Sequence, residues 1–120
     1  MTAKQRVIAL MFFGHPLVAA EPAVDDGRKV FAACAACHAP DQPTRTGPDL
    51  RGVFGRKAGT APGFRFSRAL QHAKIVWNEA TLDAFLAEPQ AALPGNTMPY
   101  PGLPDAAQRG LLIAYLKTLK

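Results

Sequence analysis

Apolar residues recur at helical spacing in three stretches of the chain, and no stretch alternates with period two for long enough to make a core strand. Gly27, Val30, Phe31 and Cys34 fall at i, i+3, i+4 and i+7, which predicts a first helix capped by Asp25 or Asp26 and running to about Ala35, after a short leader over 21–24. Leu82, Phe85 and Leu86 mark a helix over 78–88, stopped by Pro89. Leu112, Tyr115, Leu116 and Leu119 give the apolar face of a last helix from about Asp105 to Leu119, in which Gly110 costs about 1 kcal/mol against alanine. Ser67 can cap a shorter helix reaching about His72. Between these elements, 39–61 has no convincing period and holds several glycines and prolines. A loop that long inside a small domain needs a function to justify it, such as wrapping the edge of a cofactor. The predicted fold is small and all-α, a few short-to-medium helices joined by long loops.

The first twenty residues differ from the rest. Lys4 and Arg6 give a charged start, Val7 to Phe13 an apolar run too short to span a bilayer, and Val18-Ala19-Ala20 a small-residue cleavage site. Residues 1–20 are therefore expected to be a cleavable secretory signal, with 21–120 the mature domain; the competing reading is an uncleaved amphipathic anchor. Export places the mature protein in the periplasm, with no stable membrane insertion once the signal is gone. The full chain of 120 residues carries a net charge of +5, and without the first twenty residues twelve basic and nine acidic side chains leave +3. Nucleic-acid binding, which calls for a clustered basic face and a large excess charge, is not indicated.

Chemistry is concentrated at Cys34-Ala35-Ala36-Cys37-His38. Two thiols three residues apart, followed directly by histidine, form the c-type haem attachment pattern: both sulfurs bond the haem and the imidazole ligates its iron. One helical turn brings the two sulfurs to one face. A Cys-x-x-Cys pair alone also fits a redox dithiol or half a zinc site. The chain has no further cysteine, and the histidine favours haem. Of the three methionines, Met1 and Met11 lie in the expected signal, so Met98 is the one thioether of the mature domain. It sits in a proline- and glycine-rich loop over 93–102, which positions a side chain without periodic packing, and it is read as the second axial ligand in preference to core filler. His/Met ligation fills both axial positions and raises the reduction potential.

The chain resembles the small soluble class I cytochromes c of mitochondrial and bacterial periplasmic type. The resemblance spans about 25–120 and rests on motifs in order: Gly27 with Phe31, the Cys34–His38 pattern, Thr46-Gly47-Pro48-Asp49-Leu50, the run from Gly52 to Gly59, Ala61-Pro62-Gly63-Phe64, Trp77, Pro94-Gly95 with Met98, and Arg109 through Leu111 to Lys117. It implies one covalent haem c with His38 and Met98 as its iron ligands. It further implies that the Pro48 carbonyl accepts a hydrogen bond from the far nitrogen of His38. Trp77 and Arg56 would meet a haem propionate, with Gly59, Ser67 and Asn96 as further donors, and Gly27 and Phe31 would pack the first helix across Leu112 and Tyr115.

Departures from the family matter as much. Phe66 and Phe85 stand where relatives often place tyrosines that bond a propionate and the methionine sulfur, and Leu70 replaces a polar residue. The lysines that ring the haem edge in mitochondrial relatives correspond here to Ala33, Gln90, Ala91, Thr97, Pro104 and Asp105, while Arg45, Arg51, Arg56, Lys57, Arg65 and Arg68 gather in the middle loops. The implied function is a monomeric periplasmic electron carrier, not an enzyme. It would pass electrons between redox proteins such as a dehydrogenase, a respiratory complex or a terminal reductase or oxidase. The alternatives are a haem subunit held by a dehydrogenase, and a protein whose methionine dissociates to admit peroxide or a gas.

Overall fold

A computed structural model describes residues 22–39 and 46–120, with isolated positions at 9, 11 and 14. The expected signal over 1–20, those three positions apart, lies outside the described residues, as does Arg45. Among the described residues five helices follow in order: α1 Pro22–His38, α2 Arg68–His72, α3 Glu79–Ala87, α4 Pro89–Ala92 and α5 Ala106–Leu116. No strand forms among the described residues. Segments 55–58 and 75–77 meet antiparallel at one isolated bridge, Lys57 with Val76, flanked by Gly55 N–H to Trp77 O at 2.7 Å and Trp77 N–H to Arg56 O at 2.9 Å.

Helix α1 corrects the expected boundaries at both ends. It starts at Pro22, where a residue lacking an N–H and with its φ already helical suits the first turn. Asp25 and Asp26 are consequently not caps. They lie on the exposed surface of the helix and pair with Arg28 at 3.4 Å and Lys29 at 3.7 Å, contacts that contribute a few tenths of a kcal/mol. The helix also runs past Ala35 to His38, because alanine favours helix and no breaker comes before Pro40.

The other helix starts follow the local capping chemistry. Ser67 Oγ accepts from Leu70 N–H; Asn78 and Thr81 form a reciprocal capping box at α3; Asp105 accepts from Gln108 N–H at 3.0 Å. Helix α5 ends at Leu116, three residues short of the expected end, and tightens into a turn in which Leu119 N–H bonds Leu116 O. Pro89 stops α3 as expected, yet it also opens the single turn of α4, which no periodicity announced.

The first and last helices pack directly on each other. A Cβ at Gly27 would run into the Leu111 carbonyl and lie 2.8 Å from Tyr115 Cβ, so only glycine permits this approach. The partner at Gly27 is thus the Leu111 backbone together with Tyr115, while the Phe31 and Tyr115 rings meet at 5.1 Å. Leu112, 1% exposed, anchors the core with Val53, Trp77, Leu82, Phe85, Leu86, Ile113 and Leu116. Across the far side, Arg109 ties α5 to α3 through Asp83 at 2.7 Å and donates to the carbonyls of Leu103 and Pro104 at 2.8 Å. This half-buried guanidinium fixes the return of the methionine loop onto the helices.

Candidate functional site

Most of the core turns toward a chamber instead of toward itself. A cavity of about 230 Å³ is lined by Val53, Trp77, Leu82, Phe85, Leu86, Leu112 and Leu116, seven of the buried core residues. The end of α1 brings Cys34, Cys37 and His38 to its wall, and the 93–102 loop brings Met98. Among the described residues, no lysine, arginine, aspartate or glutamate lines it. A flat apolar group with thiol-reactive edges suits such a chamber, whereas a hydrated ion does not.

His38 is held from behind. Its Nδ1 lies 2.7 Å from Pro48 O; a carbonyl can only accept, so Nδ1 carries the proton and the Nε2 lone pair is left for a metal. The loop reaches the ring because Gly47 N–H bonds Cys37 O at 2.9 Å, and because a Cβ at Gly47 would stand 2.8 Å from His38 Cε1. The Pro48 contact expected from the resemblance is present in full.

The remaining expected residues divide. Trp77 and Ser67 line the chamber. Trp77 is 7% exposed, its ring 5.1 Å from Phe85, and its indole N–H has no hydrogen-bond partner among the described residues, which leaves it available to a bound acceptor. Ser67 spends its oxygen lone pair on Leu70 N–H but keeps its own proton. Arg56 is not on the chamber wall; its guanidinium donates to the carbonyls of Asp49, at 3.3 Å, and Arg51. Gly59 is likewise off the wall, at φ +73° with its α-carbon against the Leu70 carbonyl. Asn96 reaches the chamber, but both its amide hydrogens are taken, by Pro89 O at 2.9 Å and Leu93 O at 2.8 Å. Phe66, Leu70 and Phe85 all line the chamber, so the departures from the family fall on its wall and dry it.

The competing chemistries fare poorly. Burial first, and then the neighbouring Cys37, push the Cys34 thiol up from its ordinary value, opposite to what an attacking redox thiol needs. No group of three or more His, Cys, Asp or Glu side chains gathers into a metal site among the described residues. Burial and the Cys34 thiol also raise the Tyr100 hydroxyl, a sign of how closely the methionine loop closes over the end of α1. His72 is exposed and does not line the chamber.

The cytochrome c family profile matches residues 24–120. Cytochrome c2 of Rhodoblastus acidophilus is 45% identical over 98 residues, covering 80% of this chain and 92% of the relative. Cytochrome c2 iso-2 of Magnetospirillum fulvum is 43% identical over 95 residues, covering 78% and 99%. The solved cytochrome cH from Methylobacterium extorquens superposes with a TM-score of 0.75 at 43% identity, covering 79% of this chain and 97% of that one. With the match running unbroken from α1 to the last residue, the chain belongs to the cytochrome c family as a small class I member, an electron-carrying protein with one haem c bonded through Cys34 and Cys37.

Proposed function

We propose that this cytochrome is a monomeric carrier that shuttles single electrons in the periplasm with its iron closed on both faces, by His38 and Met98, and that it catalyses no reaction of its own. The observation that carries the reading is the His38–Pro48 contact. By fixing the proton on Nδ1 it presents a permanent Nε2 donor, on the same chamber to which the loop brings a thioether. The haem, when bound, supplies a one-electron Fe(III)/Fe(II) couple. The chain's own residues exclude water through Phe66, Leu70 and Phe85, and offer Trp77 N–H and the Ser67 hydroxyl to the carboxylates. Arg56 acts one step further out, holding the 49–51 backbone beside the wall, and Gly59 lets its segment lie against Leu70 of α2. The charged start, apolar run and small-residue site of residues 1–20 support export, and no helix among the described residues is long and apolar enough to cross a membrane.

A reductive titration of the matured protein under carbon monoxide tests the closed iron. One electron per chain is expected to be taken up with low-spin spectra in both states and no carbon monoxide adduct at neutral pH. An adduct forming at once would place the protein with the gas- and peroxide-binding alternatives.

Docking should also be unusual. The chamber residues that reach the surface, Ala33, Thr46, Thr97 and Pro99, are uncharged, and so are the neighbouring Gln90 and Ala91. Steering by charge raises association rates by about 10 to 1,000-fold and fades with salt. Here the rate of electron transfer to a redox partner is expected to change less than about threefold over a tenfold rise in ionic strength, by stopped-flow. A steep fall would show that the basic middle loops, with Arg51, Lys57, Arg65 and Arg68, form the docking face instead.

A further inference from the structure

We infer that Asn96 is the positioning residue of Met98 and that Gln90 is its support. This rests on the proposed ligation by Met98 and adds to it a device for keeping the thioether in place. The loop from Leu93 to Gly102 contains three prolines beyond its first residue, so its backbone has few N–H groups with which to brace itself. Side chains supply the bracing. Asn96, 6% exposed, is the one buried polar side chain of the described residues. Its Oδ1 accepts the Met98 N–H at 3.1 Å, closing an Asx-type turn, while its two amide hydrogens go to Pro89 O and Leu93 O at the two ends of α4.

Gln90, on α4, grips the same loop from outside. Its Nε2 donates to Asn96 O at 2.7 Å and its Oε1 accepts the Gly95 N–H at 3.2 Å. Together the two side chains hold the backbone of residues 95–98 against one turn of helix. Met98 O then accepts from Tyr100 N–H at 2.9 Å, which passes the constraint to the far side of the methionine. The buried amide acts on the ligand's backbone, and the α4 turn exists at the place where that amide needs two carbonyls.

Loss of the Oδ1 acceptor should raise the fraction of molecules whose methionine has left the iron. An external ligand reads that fraction, because its apparent dissociation constant is the intrinsic one divided by the competent population. Imidazole is the probe, titrated into the oxidised holoprotein by optical spectroscopy, with helical circular dichroism followed on heating as a control. Asn96→Ala is expected to bind imidazole about tenfold more tightly than the parent. Asn96→Ser keeps an acceptor two residues before Met98 N–H and should return to within about threefold of the parent.

Unchanged imidazole affinity in N96A overturns the inference, and so does an equal effect in N96A and N96S, which would make Asn96 a packing residue of α4. If N96A fails to mature, Gln90→Leu at an exposed position decides: tighter imidazole binding supports the clamp and parental affinity overturns it. A parent protein whose oxidised spectrum already lacks methionine–iron ligation overturns the ligation reading, and the positioning role falls with it.

Discussion

Cys34→Ala together with Cys37→Ala is expected to give a chain that retains no pigment through acid–acetone extraction and loses most of its helical circular dichroism. The reason lies in where the core points. Seven of its buried residues line one chamber of about 230 Å³, so the group that fills it is part of the core. Unfilled, the chamber leaves the inner faces of these seven apolar side chains to water instead of to a packing partner. A domain of about one hundred residues has only about 5–15 kcal/mol of stability to lose. A double variant with parental circular dichroism and no haem would contradict this picture, since the chamber would then stand unaided.

Met98→Ala is expected to preserve the fold while changing the chemistry. Met98 is half-buried on a loop whose backbone is held by Asn96 and Gln90, so truncating the side chain leaves the scaffold in place. The covalent attachment at Cys34 and Cys37 and the His38–Pro48 contact are likewise untouched. The loss falls on the thioether, a weak donor that favours Fe(II) and so raises the potential. Axial ligands shift haem potentials over a range of about 0.8 V, and removal of this one should lower the potential on the order of 0.1 V or more. The same variant should bind cyanide and turn over peroxide faster than the parent. Spectroelectrochemistry checks the first effect and a peroxidase assay the second. A variant with the parental potential and no gain in ligand binding would mean that another side chain closes the iron.

How much of this was legible beforehand follows from the range of each interaction. Capping is local, so Ser67, Asn78 and Asp105 declared three helix starts within three residues of themselves. Asp25 and Asp26 carry the same chemistry yet lie inside α1, because the proline at Pro22 had already opened the helix. Helix α4 is one turn long, and four residues cannot display a period of 3.6. That omission concealed the role of Asn96, whose partners Pro89 and Leu93 are brought within reach only by α4. The Cys34–His38 pattern was readable because attachment chemistry fixes its spacing, and the Pro48 carbonyl because the resemblance implied it. Arg56 and Gly59 were placed at the cofactor by resemblance alone; neither lines the chamber, Arg56 donating to the carbonyls of Asp49 and Arg51 and Gly59 lying against Leu70 O of α2. The Arg109–Asp83 pair spans 26 residues and has no signal in either local sequence.

The central claim is that His38 and Met98 close the iron between them. It is tested most directly by the optical spectrum of the matured, oxidised protein, in the weak long-wavelength charge-transfer band that a methionine–iron bond produces. The band is expected in the parent at neutral pH and is expected to vanish in Met98→Ala. A parent spectrum without it, or a band that survives in Met98→Ala, would contradict the closed-iron carrier and turn attention to ligand binding at an open site.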